Sequence, residues 1–139
     1  MLFRSLPATP KGIRALYQAL QRGELAAILP DQEPKTSYRL APFFNVPART
    51  TTLLPKMAHR SGAPVLFAFA ERLPRARGYR IHLIEAPPGI DDDDPEVGAA
   101  ALNRGVEACI RICPAQYQWT YKRFRHAPLP GGNPYEKAP

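Results

Sequence analysis

The residues with the greatest capacity for chemistry lie near the C-terminus, in a segment that mixes cations with aromatic rings. Residues 114–125 read PAQYQWTYKRFR, which places Lys122, Arg123 and Arg125 among four aromatic side chains. Cationic groups bind phosphate, and aromatic faces contact apolar groups or stack on bases. From composition alone, the segment could bind phosphate and apolar groups, or it could stack on single-stranded nucleic acid. The alternative is a terminal segment whose rings complete the core while its cations stay in solvent.

Other residues with catalytic or metal-binding capacity are isolated in the sequence. The three histidines, His59, His82 and His126, are far apart and follow no ligand pattern, so we expect packing or surface roles and no metal site. The acidic run from Asp91 to Asp94 precedes Pro95, which predicts a helix N-terminus capped by Asp94 rather than a cation site. No P-loop, GxGxxG or GxSxG motif occurs, and we expect no cofactor.

Three helices are predicted from apolar periodicity and capping residues. Thr9 and Pro10 mark the N-terminus of the first, whose apolar stripe ends at Leu20 before Gly23. The second covers residues 50–60, and the third runs from residue 95 to about residue 112. The predicted inner side of the third helix consists of Val97, Ala101, Val106, Cys109, Ile110 and Cys113.

Apolar runs between the helices predict strands. Residues 25–29 and 65–70 are continuous apolar runs, as in buried strands, whereas residues 78–85 alternate like a strand near a sheet edge. Residues 33–49, which contain three prolines, are predicted to be irregular. Alternation of helices and strands indicates an α/β layered fold, with a central, mostly parallel sheet flanked by helices.

Polar residues follow two of the predicted strands. Asp31 and Gln32 follow residues 25–29, and Arg72 follows residues 65–70. In open α/β sheets, ligands bind at the carboxyl ends of strands, so these side chains are candidates to reach a shared cleft. The alternative for Asp31 is a structural cap on a neighbouring amide.

Composition sets limits on the fold and the partners. A chain of 139 residues, 45% of them hydrophobic, suffices for one domain. We expect residues 1–126 to form it and residues 127–139 to be a flexible tail rich in proline and glycine. The net charge is +7, and the basic surplus flanks an acidic insert at residues 85–116, so the surface would attract anions. We predict no membrane span and no signal peptide, and a cytoplasmic or peripheral location for this chain alone.

A series of short motifs resembles the bacterial lipid A lauroyl/myristoyl acyltransferase family. The motifs are LPDQ at 29–32, PFFNVPA at 42–48, AHRSGAPV at 58–65, RGY at 77–79, LN at 102–103, PAQYQW at 114–119 and KRFR at 122–125. Their order and spacing over residues 10–126 carry the resemblance, and the final pattern PxQYxWxxxRF is the most specific part.

The resemblance implies a glycerolipid-acyltransferase-like fold. It also implies transfer of a fatty acyl chain from acyl carrier protein or coenzyme A to a hydroxyl of a lipid A precursor, at the cytoplasmic face of the inner membrane. The family's catalytic motif is His-x4-Asp/Glu, in which the carboxylate orients an imidazole that acts as general base. Pro64, Pro87 and Gly131 stand five positions after the three histidines, so no histidine here begins that motif.

We therefore expect this chain to be the C-terminal half of such an enzyme, with the N-terminal part of the fold missing, no catalytic residue and no activity of its own. The missing part would leave the sheet edges at residues 25–29 and 65–70 unpaired. The alternative is a non-catalytic module that binds anionic lipid or acyl carrier protein.

Six residues are candidates for substrate binding: Asp31, Gln32, Arg72, Lys122, Arg123 and Arg125. The resemblance implies that the cations meet the phosphates of a lipid A precursor or the acidic surface of acyl carrier protein, since guanidinium binds phosphate in a bidentate fashion. Peripheral contact with an anionic membrane is expected, and a nucleic-acid partner is not.

Overall fold

The computed structural model describes residues 5–7 and 9–136. Its elements are, in chain order, α1 (Pro10–Gln21), β1 (Tyr38–Phe43), β2 (Val46–Thr51), α2 (Leu53–Ser61), β3 (Leu66–Arg72), β4 (Tyr79–Glu85), α3 (Pro95–Ile112) and a 3₁₀ turn at Pro114–Gln116. The extreme ends of the predicted domain and tail, residues 1–4 and 137–139, lie outside the described residues. No described helix is both long enough and apolar enough to span a bilayer.

The strands form two separate antiparallel hairpins, β1 with β2 and β3 with β4. Helices and strands do combine in one chain, as predicted, but the described residues do not support a mostly parallel central sheet. Within each hairpin the two strands are consecutive in the sequence, because a short connection lets the chain reverse and pair with itself.

The β1–β2 hairpin lies where the sequence predicted irregular structure. Its two-residue turn is Phe44-Asn45, with φ of 48° and 64°, the left-handed geometry that matches the twist of paired strands. Pro42 and Pro47 lie opposite each other on a rung whose backbone groups point away from the ladder, so their missing N–H groups cost no strand hydrogen bond. The prolines were therefore misread as strand breakers.

The predicted strand at residues 25–29 is wrong. This segment follows α1 as an extended stretch without strand pairing, and Leu25 and Leu29 are 74% and 87% exposed. An apolar run becomes a strand only where a neighbouring strand accepts its backbone groups, and none of the described residues does so here. The predicted strands at 65–70 and 78–85 are confirmed as β3 and β4.

The predicted helix caps are confirmed at α1 and α3. Thr9 accepts a hydrogen bond from the Gly12 N–H at 3.2 Å, and Asp94 accepts one from the Glu96 N–H at 2.8 Å. The acidic run therefore begins α3, as predicted. Helix α2 starts at Leu53 rather than residue 50 because residues 46–51 belong to β2.

Helix α3 is the centre of the core and packs against both hairpins. Its Gly105 lies under the ring of Phe67 on β3, and its Gly98 lies against Pro55 of α2. Of the side chains predicted to face inward, Ala101, Val106 and Ile110 are buried, Cys109 and Cys113 are half-buried, and Val97 is exposed. The largest buried apolar groups of this core are Leu102 and Ile110 of α3 and, packed against the helix, Phe43, Phe67 and Ile90.

Candidate functional site

The C-terminal segment is anchored to the rest of the fold through its aromatic residues. The Tyr121 hydroxyl accepts a hydrogen bond from the Glu33 N–H at 2.8 Å. Tyr117 and Phe124 pack against the hydrophobic core. The segment that carries the predicted cations therefore has a defined backbone position beside the loop at residues 31–33.

Arg123 lies inside the protein, with 3% of its surface exposed. Its guanidinium donates to the carbonyl of Arg49 at 2.6 Å and to the Thr50 hydroxyl at 3.2 Å, and it lies over the Phe43 ring at 5.2 Å. Burial lowers the pKa of this guanidinium from its ordinary value. In this arrangement Arg123 connects the C-terminal segment to the β1–β2 hairpin.

Asn103 on α3 completes this buried polar cluster. Its side-chain amide donates to the carbonyl of Pro42 at 2.9 Å and to the Thr50 hydroxyl at 2.8 Å. Its carbonyl oxygen accepts from Arg123 at 3.5 Å. Sequence reasoning used Asn103 only as part of a motif, and no local signal marked it as the residue that joins α3 to the hairpin and to Arg123.

A groove of about 330 Å³ runs between residues 28–31, strand β3 and the inner face of α3. Asp31 lies in its wall together with Gln116 and Tyr117. Burial raises the pKa of the Tyr117 phenol, and the negative charge of Asp31 raises it further. The groove is lined mainly by apolar side chains, among them Ile28, Leu54, Val65, Phe67, Val106 and Ile110.

Arg72 approaches the same region through its backbone. Its N–H donates to the side-chain oxygen of Gln116 at 2.8 Å, and its carbonyl accepts from the Gln116 amide at 2.9 Å. Its guanidinium lies 6.0 Å from the Tyr79 ring. Gln116, which the sequence marked only as part of a motif, thus joins the end of β3 to the wall of the groove that also contains Asp31.

The other predicted binding residues are exposed. Gln32 makes no side-chain hydrogen bond with the described residues. The Lys122 ammonium lies 5.9 Å from the Tyr135 ring, and the Arg125 side chain is in solvent. Among the described residues, no contact joins these cations to Asp31 or to Arg72.

Each histidine lies near a carboxylate. The nitrogen-to-oxygen distances are 2.9 Å for His82 and Glu71, 3.0 Å for His126 and Glu33, and 3.5 Å for His59 and Asp93. The hydrogen bond with His82 lowers the pKa of Glu71, and Arg80 contributes in the same direction. None of these six side chains belongs to the described lining of the groove.

No group of three His, Cys, Asp or Glu side chains in the described part of the chain is arranged to hold a metal ion. The polar side chains in the groove wall are the Asp31 carboxylate, the Gln116 amide and the Tyr117 phenol.

The sequence matches a known family and several proteins that carry its name. The profile of the family described as "Bacterial lipid A biosynthesis acyltransferase" matches residues 4–126. The lipid A biosynthesis lauroyltransferase of Escherichia coli (strain K12) is 35% identical over 122 residues, which cover 85% of this chain and 39% of that protein. The palmitoleoyltransferase of the same organism is 31% identical over 119 residues, 84% of this chain and 39% of that protein.

A lipid A biosynthesis acyltransferase of Haemophilus influenzae is 29% identical over 120 residues, covering 85% of this chain and 37% of its own length. The chain thus spans about two fifths of the length of the curated relatives that it matches.

Proposed function

The chain belongs to the bacterial lipid A biosynthesis acyltransferase family, and from this we propose that it forms the part of such an enzyme that binds the acceptor. The reaction is transfer of a fatty acyl chain from acyl carrier protein or coenzyme A to a hydroxyl of a phosphorylated lipid A precursor. The site of action is the cytoplasmic face of the inner membrane. The chain is the C-terminal portion of the enzyme, and the general base comes from elsewhere.

The observation that carries the proposal is the fixed position of the C-terminal segment. Arg123 anchors the segment from the inside, while the neighbouring Lys122 and Arg125 remain exposed. Cations on an ordered backbone bind a phosphate with less loss of conformational entropy than cations on a mobile tail. Asp31 lines the groove, and the backbone of Arg72 is bonded to Gln116 in the groove wall, so both residues are candidates to contact the acceptor sugar.

We predict that the purified chain does not transfer acyl groups. The family's His-x4-Asp/Glu motif is absent, and the best-formed imidazole–carboxylate pair, His82 with Glu71, is not in the groove. The assay is transfer of radiolabelled lauroyl groups from acyl carrier protein or coenzyme A to a lipid A precursor, with the E. coli lauroyltransferase as positive control. Transfer that His82→Ala abolishes would contradict the prediction and make this pair the base.

A non-catalytic role in binding anionic lipid is the second candidate. It is favoured by the exposure of Trp119, 55% of whose surface is accessible, on the same segment as Lys122 and Arg125. Cosedimentation with phosphatidylglycerol vesicles should decrease as salt is added and should weaken in a Lys122→Ala/Arg125→Ala variant. The matched control is Lys11→Ala/Arg14→Ala, which removes two exposed cations from α1. Equal weakening by both variants would mean that only net charge matters.

A further inference from the structure

Strand β3 pairs with β4 along one edge, and no strand among the described residues pairs with its other edge. The bonds from Ala86 N–H to the Val65 carbonyl and from Leu73 N–H to the Gly78 carbonyl fix the phase of the β3–β4 ladder. In an antiparallel pair, the residues between successive hydrogen-bonded rungs point their N–H and C=O groups away from the partner strand. The outward groups of β3 therefore belong to residues 66, 68, 70 and 72.

The outward backbone groups of Arg72, the last of these residues, already have hydrogen-bond partners, whereas those of the other three residues do not among the described residues. Gln116 exchanges two hydrogen bonds with the backbone of Arg72, as the next residue of an adjoining strand would do. The outward N–H and C=O groups of Leu66, Ala68 and Ala70 have no partner among the described residues. An added strand could occupy these three rungs and would end at Gln116.

The groove lies along this open edge, since β3 residues 66–70 form part of its wall and residues 28–31 form another. The groove is largely apolar, but a hydrocarbon chain lying against β3 would bury six unpaired backbone groups, which costs free energy. A polypeptide strand would satisfy them. The groove chemistry therefore favours an extended peptide over a lipid tail along β3.

The β3–β4 hairpin also exposes an apolar face beside this edge. Leu66 and Leu83 lie on that face and are 59% and 68% exposed, and apolar exposure of this kind is typical of a surface that another segment covers.

We propose that the open edge of β3 receives an extended strand from the part of a family-length protein that this chain does not span, on the same or a separate polypeptide. The matched relatives are about two and a half times as long as the matched region, so they contain enough further chain for such a partner. The proposal rests on family membership and not on acceptor binding, because docking of a strand requires no lipid.

The experiment is capture in the absence of lipid. The tagged chain is co-expressed with the portion of the E. coli lauroyltransferase that lies outside its match, and the pair is purified in mild detergent. Ala68→Pro removes the central outward N–H and should reduce capture by on the order of ten-fold, the effect of about one lost hydrogen bond together with poorer strand fit. Ala68→Val keeps that N–H and should preserve capture.

Two further measurements control for folding. Leu83 occupies the same rung as Ala68 but on the outer edge of β4, so Leu83→Pro tests how the hairpin itself tolerates an edge proline. In the complex, hydrogen exchange should slow at the amides of Leu66, Ala68 and Ala70, whereas that of Phe67 and Phe69, already bonded to β4, should change little.

The proposal is overturned if the wild-type chain does not capture the co-expressed portion of the E. coli lauroyltransferase, while the lauroyltransferase's own matching region does capture that portion. It is also overturned if Ala68→Pro binds as well as Ala68→Val. A dimer of this chain alone that Ala68→Pro dissociates would assign the edge to a second copy and overturn it too.

Discussion

Replacement of Arg123 by alanine tests whether the C-terminal segment is held by its buried cation. The side chain donates to the Arg49 carbonyl at 2.6 Å and to the Thr50 hydroxyl at 3.2 Å, and 3% of the residue is exposed. Arg125, two positions later, is also a cation but lies in solvent. The two substitutions remove the same formal charge from the same segment and differ in the environment of the group removed.

The expected loss follows from the groups that remain behind. Removal of the guanidinium leaves the Arg49 carbonyl without its side-chain donor, at about 1–3 kcal/mol, whereas the Thr50 hydroxyl keeps its bonds with Asn103 and Ala48. It also removes the contact with the Phe43 ring and leaves a space in the core. The recovered hydration and side-chain entropy of arginine offset part of this. We expect Arg123→Ala to lower the free energy of unfolding by about 3 kcal/mol and Arg125→Ala by less than about 0.5 kcal/mol.

Urea unfolding followed by circular dichroism measures both variants, and the thermal midpoint should fall by roughly 10 °C for Arg123→Ala. Arg123→Lys keeps the positive charge but lacks the planar guanidinium that donates to two acceptors at once. We therefore expect the free energy of unfolding to fall by an intermediate amount, about 1.5 kcal/mol. A loss below about 1 kcal/mol for Arg123→Ala, or equal losses at positions 123 and 125, would refute the anchoring role.

Two further predictions concern the β3–β4 hairpin and its contact with α3. The hydrogen bond with His82 lowers the pKa of Glu71 below its ordinary 4.5, so the ionised carboxylate adds stability above that pH, and this contribution disappears as the pH falls through the lowered value. Thermal melts should therefore show Glu71→Gln less stable than wild type at neutral pH and equal to it in acid; a gap that persists in acid would contradict this. In Gly105→Ala, a Cβ would lie 2.2 Å from the Phe67 ring, and we expect a net loss of about 1–3 kcal/mol despite the better helix propensity of alanine. Chemical unfolding of Gly105→Ala with and without Phe67→Leu measures the clash, and absence of any rescue by Phe67→Leu would contradict the stated cause.

Features encoded by neighbouring residues were predictable. Thr9 with Pro10 and Asp94 with Pro95 each contain the acceptor and the fixed φ that begin a helix, and both helices begin there. Strand β3 was predicted from a continuous apolar run, and strand β4 was predicted from the alternation of apolar and polar residues. The family was identified from motifs spread along the chain, because the order of several short patterns is far more specific than any one of them.

Features that depend on a distant partner were not predictable in the same way. Residues 25–29 are apolar enough for a strand but have no strand partner among the described residues. Pro42 and Pro47 fit in a hairpin because their backbone groups face outward, which depends on the register set by the turn at Phe44-Asn45. The positions of the candidate site residues are of the same kind, since Gln116 meets Arg72 across 44 residues.

The sequence by itself determined where α1 and α3 begin, the apolar runs, the family and the absence of the family's catalytic motif from these residues, because each depends on residue types at short or fixed spacing. Only the tertiary structure decided that Arg123 is enclosed while Lys122 and Arg125 face solvent, and that β3 has one edge without a strand partner among the described residues. Burial and strand pairing depend on which distant segments meet, and adjacent cations in one segment carry no local signal of which of them will be covered.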